Sequence, residues 1–249
     1  MGTPKPSSKP GPACPGAGDV HIWVTPLDDL MPHLDAMREL LAADEAHRAD
    51  RFHFDLDRQR FIARRGILRQ ILSHYLTIPP HNIRYDLGPH GKPAIAAPRV
   101  TNPLQFNTSH ARGVAVCAVT AGQAVGVDIE ALDPSRADRH VAEQQFAPRE
   151  LAQLNTLTGE QWTAGFFNCW TRKEAYIKAI GEGLSRPLNS FSVSLLPGEP
   201  AALCSCDVDP HEPDRWSFNT LDCGPGFAGC VVVNAQIHQA RISQMILQL

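Results

Sequence analysis

The sequence predicts an α+β fold, and three observations carry that prediction. Two long segments, residues 57–76 and 160–180, show the helical spacing of apolar side chains. Short β-rich segments cluster instead at residues 104–129 and again beyond residue 191. The run Gly113-Val-Ala-Val-Cys-Ala-Val is echoed by Gly226-Phe-Ala-Gly-Cys-Val-Val, and each follows a long helix holding an Arg-Arg or Arg-Lys pair. The offset is about 110 residues, the size of one small domain. Alternating β patterns also recur by chance, so the echo alone leaves duplication open. If the chain is duplicated, its halves meet near residue 120 and a ligand sits between them.

In chain order, residues 20–24 read as a first strand. Residues 28–41 follow as a helical stripe of Leu30, Leu34, Met37, Leu40 and Leu41. Residues 44–54 are charged and contain Arg48 and Arg51. The helix at 57–76 carries Phe61, Ile62, Ile67, Leu68, Ile71 and Leu72 on its apolar side and stops at Thr77-Ile78-Pro79-Pro80, where proline breaks it. Beyond Gly91-Lys92-Pro93 come short strands at 104–107, 113–119 and 124–129. Residues 142–157 read as helical, and the helix at 160–180 is stopped by Gly181-Glu182-Gly183. Strands at 216–221 and 227–233 lie in the final third.

With 249 residues, 43% hydrophobic and 20% charged, the chain has the composition of a folded protein with a real core. Its formal charge of −3 argues against a general nucleic-acid binder. No apolar run is long enough to span a bilayer, so no membrane role is expected. Residues 1–18, rich in Pro, Gly and Ser and without the apolar segment of a secretory signal, read as a disordered tail. The seven cysteines are scattered and form no C-x-x-C pair, which points to free thiols in a reducing cytoplasm.

Four short motifs carry chemistry. In Val125-Gly126-Val127-Asp128-Ile129-Glu130, a strand places Asp128 and Glu130 on one side and Val127 and Ile129 on the other. Two carboxylates closing on one point suit a hard divalent cation, although an isolated D-x-E is more often a solvated strand end. Asp55 and Asp57 form a similar pair and read as the solvated start of a helix. In Trp170-Thr-Arg-Lys173-Glu174-Ala-Tyr-Ile-Lys178, Trp170, Glu174 and Lys178 share one helical line with Lys173 adjacent. A surface ion pair between Glu174 and Lys178 is the ordinary reading of that spacing. The apolar setting of Phe166, Phe167, Trp170 and Ile177 argues for a buried boundary instead. Phe106-Asn107-Thr108-Ser109-His110 offers small polar groups and an imidazole to phosphate oxygens, or equally a hydrogen-bonded turn. Gly91-Lys92-Pro93 is a turn with a lysine.

Taken in order, Gly-Lys-Pro, Asn-x-Ser-His, Gly-Val-Asp-x-Glu and Trp-x-x-Lys-Glu-Ala-x-x-Lys resemble the phosphopantetheinyl transferases of the type named after the surfactin-synthetase activator. The resemblance runs from about Arg48 to Phe191 and includes Gly183-Leu184-Ser185 and Ser190-Phe191-Ser192-Val193. It implies a pseudo-dimer of two similar α+β subdomains, residues 19–120 and 121–249, with the active site in the cleft between them. It also implies Mg²⁺ held by Asp128, Glu130 and Glu174, and coenzyme A as co-substrate. Glu174, Lys178 and Asp128 would be catalytic. Arg48, Arg51, Gly91, Lys92, Pro93, Ser109, His110, Lys173 and Lys178 would bind coenzyme A. The reaction it implies moves the phosphopantetheine arm onto a serine of an apo acyl or peptidyl carrier protein. Carrier docking is expected around Arg136 to Arg149, and a chain holding both halves of its cleft is expected to be a monomer. Two rivals remain: a Mg²⁺-dependent phosphohydrolase acting on coenzyme A, and a non-catalytic module that binds coenzyme A or the carrier.

Overall fold

The structure is a computed structural model that describes residues 13–97, 104–234 and 240–246. The strands are β1 (Asp19–Pro26), β2 (Arg84–Leu87), β3 (Pro93–Ala97), β4 (Leu104–Ala111), β5 (Val114–Ala121), β6 (Val125–Ala131), β7 (Phe191–Val193), β8 (Leu203–Cys206), β9 (Trp216–Thr220), β10 (Phe227–Asn234) and β11 (Arg241–Ile246). The helices are α1 (Leu34–Glu39), α2 (Ala43–Asp50), α3 (Asp55–Leu76), α4 (Arg139–Gln145), α5 (Pro148–Leu154) and α6 (Gly159–Ile180).

Two three-stranded arrangements repeat the same order: β1-β5-β4 in the first half and β6-β10-β9 in the second, antiparallel throughout. Each half also has one helix of 22 residues, α3 or α6. The alternation of strand side chains decides the layers. Val20, Ile22 and Val24 of β1 pack against Val125, Val127 and Ile129 of β6 and Val231 and Val233 of β10, forming a core between the sheets. The opposite faces take the helices. Trp23, Ala115, Cys117 and Val119 meet Ala63, Ile67 and Ile71 of α3, while Cys230, Val232 and Phe218 belong to the core beneath α6. The duplication that the echo left open is therefore present in the topology.

The repeat extends to a buried carboxylate in each half. Glu45 on the first turn of α2 accepts the Ala42 N–H at 3.2 Å and pairs with Arg65 and Arg69 of α3. Glu150 on the first turn of α5 accepts the Ala147 N–H at 2.7 Å and pairs with Lys173 of α6 at 2.8 Å. Each ties a short helix to the long helix of its half.

Three expectations need correction. Residues 142–157 are not one helix: α4 stops at Gln145 and α5 starts at Pro148. Proline forces Ala147 into an extended backbone (ψ 153°) and then serves as the first residue of a new helix. The second subdomain does not keep the whole chain to its end, because β11 crosses back and pairs in parallel with β1. Residues 1–12 of the expected tail lie outside the described residues; within 13–18, Pro15 is buried and Cys14 Sγ lies 3.6 Å from the Tyr75 carbonyl, so the packed chain begins before Asp19.

Candidate functional site

The site forms where the two halves meet, between β4, β6 and α6. Gly126 makes it possible. A Cβ there would overlap the Ala175 carbonyl oxygen and the Ala179 amide nitrogen, so only glycine lets β6 lie directly on the α6 backbone. Asp128 and Glu130, two and four residues on, share that face and stand against Glu174 and Lys178. At the far end of α6, Gly181 takes a left-handed backbone (φ 74°) and closes the helix.

Asp128 is 4% exposed. Its Oδ1 accepts from Lys178 Nζ at 2.6 Å and from Ser109 Oγ at 2.8 Å, while the buried Oδ2 has no partner. Burial raises its pKa, against the opposing effects of Lys178 and Ser109. Glu130 and Glu174 are also raised, each by burial first and then by the charge of Asp128. Arg136 Nη1 stands 3.8 Å from Glu130. Burial is the main cause of all three shifts, and the charge of Asp128 adds to it at Glu130 and Glu174. Among the described residues, no three His, Cys, Asp or Glu side chains close into a ready-made metal cage. Magnesium needs no such cage, because it takes one or two carboxylates together with substrate phosphates and water. The unpartnered Asp128 Oδ2 fits such an ion.

A run of cations leads away from the acids. Arg64 Nη1 donates to His110 Nε2 at 2.7 Å. Arg48 and Arg64 both lie over the ring of Phe61, at 5.4 and 5.8 Å. Arg48 and Arg51 share a hollow with His47 and His53. His110 is pushed down to about 4 by burial and by the charges of Arg64 and Lys178. Arg64 is lowered as well, by burial and then by Arg65 and Arg48. The arginines therefore form an electropositive track beside a neutral His110. Arg64 belongs to the Arg-Arg pair of the first long helix, and the sequence marks it only by its position one helical turn beyond Phe61.

A second hollow of about 310 Å³, lined by Gly91, Lys92, Pro93, Asn107, Glu174 and Lys178, brings the Gly-Lys-Pro turn to the acids. The expected Lys92 contact is altered, because its ammonium donates to the backbone carbonyls of Val125 (3.0 Å) and Ala179 (3.2 Å). Burial takes its pKa down to about 8. Lys173 is a correction. It is 0% exposed, and its ammonium is occupied by Glu150, by the Leu188 carbonyl (2.7 Å) and by the Phe191 carbonyl (2.7 Å), so no phosphate reaches it. One residue earlier on the helix than Glu174, it points about 100° away, into the core. Phe106 to His110 lie inside β4 rather than in a turn.

Comparison with known proteins agrees with this arrangement. The family model of the 4′-phosphopantetheinyl transferase superfamily matches residues 124–232. The model of the 4′-phosphopantetheinyl transferase N-terminal region matches residues 29–122. The chain is 40% identical over 185 residues to the 4′-phosphopantetheinyl transferase HetI of Nostoc sp., covering 74% of this chain and 78% of that one. It is 37% identical over 182 residues to the 4′-phosphopantetheinyl transferase gsp of Aneurinibacillus migulanus, with 72% and 73% covered. A third relative, a 4′-phosphopantetheinyl transferase of Bacillus subtilis, is 33% identical over 161 residues, 65% of this chain and 69% of that one. With both halves matched in order by models of one family, and a relative 40% identical covered over 78% of its length, the chain belongs to the 4′-phosphopantetheinyl transferase family.

Proposed function

We propose that this chain transfers the 4′-phosphopantetheine arm of coenzyme A to a serine hydroxyl of an apo acyl or peptidyl carrier protein, releasing 3′,5′-ADP. The carrying observation is the buried Asp128, with one oxygen unpartnered, beside Glu130 and Glu174 at the end of a cation track. Arg48, Arg51, Arg64 and Lys178 offer charge to the phosphates of coenzyme A, and His110, kept neutral by a pKa pushed down to about 4, offers a hydrogen bond. Gly91 and Pro93 line the hollow that takes its nucleotide. Asp128, Glu130 and Glu174 would hold Mg²⁺ together with pyrophosphate oxygens. When bound, that ion neutralises the pyrophosphate and polarises the phosphorus under attack.

The remaining chemistry falls to side chains. The carrier serine loses its proton to Glu174 as its oxygen bonds to the phosphorus that bears the arm. Glu174 suits a base because its carboxylate lines the hollow beside Lys178, and burial raises its pKa. The bond from that phosphorus to the 3′,5′-ADP oxygen breaks, and the oxygen keeps the electron pair. Lys178, one turn along α6, stabilises the charge that develops there.

The carrier docks at the hollow of Glu130, Arg136, Val141, Phe166, Phe167 and Trp170, whose mixed apolar and basic lining adjoins Glu130. The enzyme acts as a monomer, since one chain supplies both sides of the cleft. A reducing cytoplasm suits its seven free cysteines. Among the described residues no helix is long and apolar enough to cross a membrane.

Intact mass of an apo carrier after incubation with coenzyme A, Mg²⁺ and this protein tests the reading. The expected gain is about 340 Da, one arm on the serine nucleophile, and it disappears with Glu174→Gln or with chelator. Release of 3′,5′-ADP without a carrier would instead mark a phosphohydrolase.

A further inference from the structure

The second sheet runs β6-β10-β9, so among the described residues one edge of β6 has no strand partner. β4 lies beside that edge, yet among the described residues no backbone ladder joins them. In an antiparallel strand alternate residues aim their backbone groups outward, and buried ones need partners. On β6 side chains supply those partners. Lys92 Nζ donates to the Val125 carbonyl at 3.0 Å. The Val127 N–H donates to Asn107 Oδ1 at 2.9 Å, and the Val127 carbonyl accepts from Lys178 Nζ at 3.3 Å. Asn107 is 6% exposed. It shares one face of β4 with Ser109, which donates to Asp128 itself.

We propose that Asn107 and Lys92 are positioning residues that take the place of a neighbouring strand on the free edge of β6, fixing Asp128 and Glu130 against α6. The need for them is physical. The core face of Val127 and Ile129 and the ladder to β10 set the register, but the buried outward N–H and C=O groups of the other edge need partners, and side chains that supply them hold that edge against α6. Asn107 ties the strand to the first half of the molecule. Lys92 bonds to Val125 on β6 and to Ala179 near the end of α6, so one ammonium holds both elements that carry the acids. Lys92 is thereby assigned to backbone, where the resemblance implied a contact with coenzyme A. This deepens the proposed function and rests on it only for the kinetic test.

Amide hydrogen exchange of the full chain, without ligands, reads the edge directly at Val127 and Ile129. In Asn107→Ala and in Lys92→Met, exchange at these amides rises about tenfold or more while α3 and the centre of β5 keep wild-type rates. With coenzyme A, Mg²⁺ and carrier, kcat falls about 10- to 100-fold in both variants, as for other groups that orient a site from behind. The loss in kcat exceeds any rise in the KM for coenzyme A, although both side chains line the nucleotide hollow. Unchanged exchange on β6 in both variants overturns the proposal, as does a uniform rise across the whole chain. A Lys92→Met variant with a raised KM for coenzyme A and intact kcat would overturn the assignment and make Lys92 a coenzyme A contact. If Asn107→Ala does not fold, Lys92→Met carries the test alone, with Lys92→Arg expected to restore protection. A chain with no transferase activity but a loosened β6 would sink the proposed function and leave the edge assignment standing.

Discussion

Lys173 gives the sharpest contrast between two roles for one side chain, and Lys173→Met separates them. The side chain is 0% exposed and bonds to Glu150 and to two backbone carbonyls, joining α5, the segment leading into β7, and α6. Methionine preserves most of the volume but leaves Glu150 charged, 0% exposed and without its cation. Glu150 keeps two backbone donors, Ala147 N–H and Val193 N–H, each at 2.7 Å, which soften the loss. Breaking a buried pair from one side costs about 3–5 kcal/mol. At about 2–4 °C per kcal/mol for a chain of this size, Tm falls by roughly 10 °C. Urea and thermal melts followed by circular dichroism measure this, with coenzyme A kinetics on the folded fraction. Adding Glu150→Gln removes the stranded charge, so the double variant should lose less than the sum of the single ones. A Lys173→Met protein with wild-type Tm and a tenfold higher KM for coenzyme A would refute the reasoning and put Lys173 on a phosphate.

Gly126→Ala should fail to give stable soluble protein, because its methyl group would meet backbone atoms of Ala175 and Ala179 that cannot move aside; a folded variant with unchanged Tm would contradict this. Arg64→Ala should raise the KM for coenzyme A by about 10- to 100-fold, the worth of a charge-assisted contact, with Tm nearly unchanged. The fold should also weaken in acid through His21, whose Nδ1 lies 2.8 Å from the Tyr75 hydroxyl and whose pKa burial lowers from 6.5. The unfolded chain then takes up this proton at a higher pH than the folded one, so the stability is complete above 6.5 and is lost as pH falls through the folded value. Melts at pH 7.5 and 5 should show a shallower acid loss in His21→Gln than in wild type, and equal slopes would argue against it.

Local periodicity determined much of this protein in advance. The 3.6-residue repeat in Phe61 to Leu72 and in the segment around Trp170 marks α3 and α6, since a helix places its own apolar face without help from the rest of the chain. The two-residue repeat likewise put Asp128 and Glu130 on one face and Val127 and Ile129 in the core. The break at Pro148 was also written in the sequence, though the apolar spacing across 142–157 masked it. Other features belong to the tertiary structure alone. Lys173 and Lys178 are both lysines on one helix, and only the packing of α5 and β7 on one side and β6 on the other makes the first a core clamp and the second a site residue. Arg64 and Asn107 matter through partners 46 and 20 residues away, and nothing local announces such pairings. The return of β11 to β1 has the same cause. Periodicity reports which side of an element is buried, whereas the identity of what covers it is decided only when distant segments meet.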